Sequence, residues 1–259
     1  MITDVFEEYE NVCIAPADAL KAERRIVNSL SEPLPDTFLL VYSSRLIGQL
    51  CISGRIEPVE GLELGNCSQK FPVYRLKNEP IGMVQSGIGE PCAAGVIEEL
   101  AELSGLKHLV MFGSCGTLTK IPEGRLIVPV KAYRDEGLSY HYAPASEYIE
   151  LNNAPLIQNW LSSWGIDFVT GGTWTTDAFY RETERRAEQR IRDGCVAVEM
   201  ECAGIQALCR FRGIELYSFL YAADSLNGTW QRRILGEAEA ASGLAAFEAG
   251  RRIAAAAGS

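Results

Sequence analysis

Six apolar, β-branched runs separated by helix-patterned stretches constrain this chain more than any other feature. The runs cover 37–42, 80–87, 107–114, 125–133, 166–173 and 215–224. Several are continuously apolar rather than alternating, the pattern of central strands covered on both faces. Between them, the spacing of apolar residues predicts helices over 91–103, 155–163, 182–192, 202–212 and 236–255. Gly105 and Gly213 supply stop signals for the first and fourth of these. The Ala-rich stretch from 245 reads as a closing helix that frays. Strand–helix alternation of this kind predicts a layered α/β domain with a largely parallel sheet. No internal repeat, low-complexity linker or Pro/Gly/Ser-rich hinge divides the chain, so 1–259 reads as one domain.

At 259 residues the chain can bury roughly three-quarters of its unfolded surface, enough for a core without metal or disulfide. Lys and Arg number 24 against 34 Asp and Glu, a net charge of −10. Such a balance repels phosphate backbones and anionic lipid, which disfavours nucleic acid and membrane surfaces as partners. The opening MITDVFEEYE is acidic, and no apolar run reaches 18 residues, so a cytoplasmic protein is expected. Eight cysteines, at 13, 51, 67, 92, 115, 195, 202 and 209, form no CxxC pair. Neither His108 nor His141 lies within a turn of one of them. No metal site is expected; the cysteines read as small buried residues in a reducing compartment, although 195, 202 and 209 repeat every seven.

In open α/β sheets, ligands sit beyond the carboxyl ends of the strands. Five exits therefore carry the functional signal: GIGEP (87–91), FGSCG (112–116), DEGLSYHY (135–142), TWTTDAFYRE (173–182) and AADSLNG (222–228). Gly87 and Gly89 let the backbone approach a ligand and present amides at a helix start, where anions bind; a plain tight turn is the competing reading. Ser114, bracketed by Gly113 and Gly116, can hold an anion or a sugar hydroxyl. Cys115 as a nucleophile has no base near it in sequence. Glu199 and Glu201 flank Met200 at the end of an apolar run. Carboxylates there need donors or a polyhydroxylated ligand, and a vicinal diol would satisfy one bidentately. Acids favoured at a helix N-terminus are the alternative. Asp224 ends an apolar strand, where shielding suits a general acid, with an Asx turn as its competitor.

In their order along the chain, GIGEP, FGSCGTL, TTDAFYRE, AVEMECAGI and the strand ending in Asp224 resemble the nucleoside phosphorylase family, which includes purine nucleoside and uridine phosphorylases and related nucleosidases. VEMECAG is the most specific piece. The resemblance implies a three-layer α/β/α sandwich around a mixed, largely parallel β-sheet, and a homo-oligomer: a dimer, a trimer or a hexamer. It also implies a nucleoside and inorganic phosphate as small-molecule partners, with no cofactor. Glu201 would hold the ribose 2′ and 3′ hydroxyls beside Met200 and Glu199. Phe179 would stack on the base, where the residues alone allow a core aromatic. Asp224 would protonate the leaving base. Ser114 and the amides near Gly87 and Gly89 would face phosphate or an attacking water.

Two positions depart from the family pattern. Met111 stands three residues before Ser114, where the phosphorylases place an arginine, and YSSRLIG (42–48) replaces a GDPxR-like loop, leaving Arg45, or an arginine of another subunit such as Arg55 or Arg134, as the substitute cation. The uridine enzymes' Gln-x-Arg is also absent from FYRETERR, where Arg181 would touch a base or a neighbouring subunit, or lie on a solvated helix face. The expected activity is phosphorolysis of a purine or uridine-type nucleoside. Hydrolysis of the same bond, or nucleoside binding without turnover, are the alternatives.

Overall fold

Long parallel strands dominate the sheet in the computed structural model, which describes residues 2–7, 12–65, 69–226, 231–232 and 237–259. Cys67, and Asn227 and Gly228 of the turn after Asp224, lie outside the described residues. The six apolar runs form β1 (Thr37–Val41), β4 (Gly82–Gln85), β5 (His108–Thr117), β6 (Leu126–Asp135), β8 (Phe168–Thr176) and β10 (Glu215–Ser225). The five helical patterns form α4 (Glu90–Ser104), α6 (Ala154–Ser163), α7 (Glu184–Arg192), α8 (Cys202–Arg212) and α9 (Glu237–Ala257). Between them lie α1 (Pro16–Ala19), α2 (Lys21–Ser29), α3 (Ser44–Ile52), β2 (Ile56–Leu64), β3 (Phe71–Leu76), α5 (Ser139–Tyr142), β7 (Tyr148–Glu150), β9 (Cys195–Glu199) and β11 (Gln231–Arg232).

The sheet is mixed, with its longest pairings parallel. β1 lies between β4 and β5, parallel to both. β5 and β10 run parallel from His108↔Glu215 to Thr117↔Ser225, and β6 and β8 from Leu126↔Phe168 to Asp135↔Thr176. Antiparallel pairing takes over at the β2–β3–β4 edge, where Glu, Pro and Gly in IEPVEGLEL suit an exposed border strand. Two further antiparallel joints, β10 with β6 and β5 with β9, curl part of the sheet into a ring: β5–β10–β6–β8–β9–β5. That closure gathers the carboxyl ends of β5, β9 and β10.

Helices cover both faces. α8 packs on β6, β8 and β10 with α4 beside it, and α9 lies across β1, β5 and β10 with α3 and α6. The two-residue alternation of β10 serves both layers. Ser218 meets Cys202 of α8 at 3.3 Å, while Phe219 stacks on Phe112 at 5.2 Å beneath α9. Gly250 permits that close approach, since a Cβ there would stand 2.8 Å from the Phe112 ring. The Ala-rich end does not fray as its composition predicts. α9 continues to Ala257 because Ile253 and Ala254 are buried against the core. The seven-residue cysteine repeat is not a helical stripe either: Cys195 lies on β9, while Cys202 and Cys209 are buried on α8. No helix among the described residues is long and apolar enough to cross a membrane.

Candidate active site

A cleft of about 510 Å³ opens where β1, β5, β9 and β10 end. Its walls bring together seven of the residues singled out in the sequence: Arg45, Ser114, Phe179, Glu199, Met200, Glu201 and Asp224. Gly87, Gly89 and Arg181 are not among its lining residues, although Ile88 is. Tyr42 and Glu182 join the lining without having been anticipated.

One side of the cleft is built where the N-termini of α4 and α8 meet. Helix N-termini leave amides without intrahelical partners, and here carboxylates from the opposite helix take them. Glu201, the N-cap residue of α8, accepts from the Gly89 amide at 2.7 Å. In return, Glu90 of α4 accepts from the Gly204 amide of α8 at 2.6 Å. The Gly89 amide is thus committed to Glu201, which removes it from the anion-binding role suggested by its sequence. Burial pushes the Glu201 carboxyl up to about 8, with the charge of Glu199 adding to it and the amides of Gly89 and Met200 opposing. Burial also raises Glu90 well above the ordinary carboxyl range, reinforced by Glu136 beside it.

Glu199 lies beneath Glu201. One of its oxygens accepts from Thr175 at 2.6 Å and Thr173 at 3.3 Å, and the other accepts the amides of Glu201 and Cys202, each at 2.7 Å. Burial raises its pKa, and these donors oppose the rise. Both oxygens are spent inside the protein, so Glu199 positions the start of α8 rather than presenting a carboxylate to ligand. Of the two carboxylates flanking Met200, Glu201 is the one free to turn an oxygen towards the cleft.

The opposite end is chemically different. The Tyr42 hydroxyl donates to the Met111 thioether at 3.1 Å, and the Tyr42 ring covers Gly113. Ser114 is exposed on the cleft wall, and Arg45 stands at the start of α3, whose N-cap Ser43 accepts the Leu46 amide at 3.3 Å. Cys115 is turned inward, its thiol donating to the Tyr221 carbonyl at 3.6 Å. Burial raises its pKa far out of the range of a reactive thiolate, so it is a packing residue.

Asp224 reaches the cleft through a β-bulge between Ala222 and Asp224, which re-aims the strand end, and its carbonyl accepts from the Thr117 hydroxyl at 3.0 Å. Phe179 is half-exposed on a single 3₁₀ turn, Phe179–Arg181, with the Tyr180 ring tilted against it at a centroid distance of 4.0 Å. It is therefore a rim aromatic and not a core one. Glu182 ends that turn. Its carboxyl is pushed up to about 7, first by burial and then by the charge of Asp224. In all, the described lining carries one cation, Arg45, and four carboxyls: Glu182, Glu199, Glu201 and Asp224.

The sequence profile of the phosphorylase superfamily matches residues 53–257. The chain belongs to that superfamily. Among curated relatives, the purine nucleoside phosphorylase DeoD-type of Caldanaerobacter subterraneus subsp. tengcongensis is 27% identical over 157 residues, which is 58% of this chain and 66% of that relative's length. The same-named protein of Exiguobacterium sibiricum is 27% identical over 159 residues, again spanning 66% of its length. The fold is shared with purine nucleoside phosphorylase from Toxoplasma gondii (TM-score 0.67, 22% identity, 85% of this chain and 92% of that one). It is also shared with AMP nucleosidase from Bacteroides thetaiotaomicron (TM-score 0.64, 20% identity, 89% and 97%). Superfamily membership accounts for the order of the motifs along the chain. Tyr42 and Glu182 stand inside YSSRLIG and TWTTDAFYRE but were not singled out there, because their partners, Met111 and Asp224, are distant in the chain.

Proposed function

We propose that this chain cleaves the N-glycosidic bond of a purine nucleoside with water as the attacking group. The observation that carries the reading is the make-up of the cleft: among its described lining residues one arginine stands against four carboxyls, and Met111, where the phosphorylases place an arginine, is buried beneath the Tyr42 hydroxyl. Phosphate at neutral pH is close to a dianion and needs fixed cationic partners; hydroxyls and amides supply only partial charge. Water has no such need. The surplus of carboxylates suits the developing ribosyl cation instead.

In this reading Glu201 accepts hydrogen bonds from the ribose 2′ and 3′ hydroxyls, and Met200 packs against the sugar. Phe179 stacks on the base. As the C1′–N bond breaks, its electron pair passes to the base. Asp224 delivers a proton to the departing purine, and the oxygen of a water held near Ser114 bonds to C1′ and releases its own proton. The products are free base and ribose. Phosphorolysis, the expectation from motifs alone, is the second reading, favoured by Arg45 and Ser114 on the cleft wall.

Product identification tests the choice. Incubation with inosine, adenosine and uridine, with and without millimolar phosphate, is expected to give free ribose at the same rate in both. Ribose 1-phosphate formed with strict phosphate dependence would overturn the proposal, and Arg45→Ala would then raise the KM for phosphate.

A further inference from the structure

The carboxyl of Glu182 has no part in bond cleavage as outlined above, yet it lines the cleft beside the proposed acid. It closes the 3₁₀ turn that carries Phe179, and it shares the cleft wall with Asp224. Among the described residues no hydrogen bond or ion pair engages that carboxyl, whereas Glu199 and Glu201 on the same wall are tied to amides. An unengaged carboxyl next to the proposed leaving-group acid faces whatever the base presents next to its protonation site.

On a purine that neighbour is fixed by chemistry. N7 accepts the proton, and the adjacent substituent on the same edge is the one at C6: an amine donor in adenine, a carbonyl acceptor in hypoxanthine and guanine. We propose that Glu182 reads the C6 substituent of the purine, its carboxylate accepting from a 6-amino group and so selecting 6-aminopurine over 6-oxopurine nucleosides. The inference rests on the proposed nucleoside cleavage and adds its base specificity.

Glu182 titrates at about 7, so the preference is pH-dependent. Below that pH the protonated carboxyl becomes a donor and suits a 6-oxo group; above it the carboxylate accepts from a 6-amino group and repels the oxygen. The charged groups that line the cleft with it are Asp224 on β10, Glu199 at the end of β9, Glu201 at the N-cap of α8 and Arg45 on α3, with Arg181 and Glu184 close in the chain. Only Asp224 contributes a charge effect to its shift.

The test measures kcat/KM for adenosine, inosine and purine riboside, which bears no C6 substituent, at pH 6 and pH 8. A single carboxyl titrating near 7 goes from about one-tenth to about nine-tenths ionised over that interval. The adenosine-to-inosine ratio is expected to rise at least about tenfold in the wild type and to stay flat in Glu182→Gln. Purine riboside should lose least in the variant. Equal losses on all three substrates, or a pH slope retained in Glu182→Gln, would overturn the proposal. If no nucleoside is cleaved, the functional reading falls separately. Calorimetry of adenine and hypoxanthine binding at the same two pH values then decides the role of Glu182 by the same ratio.

Discussion

Across the cleft, two walls of one pocket solve opposite problems. At the meeting of α4 and α8, carboxylates are bound into a lattice of backbone amides: Glu201 on Gly89, Glu90 on Gly204, and Glu199 on Glu201 and Cys202. Burial raises all three carboxyls, so their proton is held more tightly than usual, and in the proposed reaction the ionised form would stabilise a positive charge that develops at the sugar. On the Tyr42 side the wall is built differently: the phenol donates to the buried Met111 thioether, and the Ser114 hydroxyl and the Arg45 guanidinium stand on the same wall. In the proposed reaction the carboxyl wall would lower the cost of breaking the glycosidic bond. The other wall offers a single guanidinium, which leaves the choice of nucleophile to what the carboxyls tolerate, and they would tolerate water better than phosphate.

Substitutions should therefore matter unequally at the two walls. The largest effect is expected at Asp224. Asp224→Asn cannot deliver a proton, so cleavage of purine nucleosides should fall about 10²–10⁴-fold, the usual reach of general acid catalysis. 7-Methylguanosine, whose base leaves already charged, should lose far less. Equal losses on both substrates would mark Asp224 as structural.

Glu201→Gln comes next: above pH 8, where the carboxyl is ionised, kcat/KM for ribonucleosides is expected to drop at least ~10²-fold for loss of a charge-assisted pair of hydrogen bonds. The same variant has a signature in stability. Because the folded carboxyl titrates at about 8, above its ordinary 4.5, the folded state binds more protons than the unfolded chain between those values. Stability from this group is thus greatest below 4.5 and declines as pH rises towards 8. Thermal melts of the ligand-free protein should show that decline in the wild type and a shallower one in Glu201→Gln. Identical slopes would place the carboxyl in solvent and break the contrast between the walls.

What the sequence made readable follows the range of each interaction. Continuous apolar runs and glycine stops located six of the strands and five of the helices, because those signals are local. Motif order located Ser114, Phe179, Glu201 and Asp224, which the fold gathers in one cleft. The edge strand β2 stayed hidden behind Glu, Pro and Gly, which blur the two-residue period at a solvent border. Ring closure through β5–β9 and β10–β6 left no local mark. The division of labour between Glu199 and Glu201 was equally opaque: two carboxylates two residues apart look alike until Thr175 and the α8 amides are seen to consume one of them.

A moderate effect is expected where the two helix starts interlock. Gly204 leaves room for Glu90, and a Cβ at 204 would stand 2.4 Å from the Glu90 carboxyl carbon. Gly204→Ala must displace a buried carboxyl that the Gly204 amide itself holds, and overpacking of this kind costs about 1–3 kcal/mol. A fall of several degrees in Tm is expected. Because α8 carries Glu201, KM for ribonucleosides should rise with it. A loss of Tm with unchanged KM would show that the helix start and the sugar-facing carboxylate are uncoupled.

The smallest effect belongs to the Tyr42 wall, and its smallness is the informative result. Tyr42→Phe removes one hydroxyl whose acceptor is a thioether, a weak partner, so the loss is about 0.5–1 kcal/mol at most. The ring still covers Gly113, which keeps the wall's shape. If water is the nucleophile and no anion is bound there, turnover should stay within about threefold and ribose should remain the sugar product, independent of phosphate. A hydroxyl that instead helps hold an anion would be missed far more. A tenfold or greater fall in the variant, together with a phosphate-dependent rate in the wild type, would move the attacking group from water to phosphate and erase the difference between the two walls.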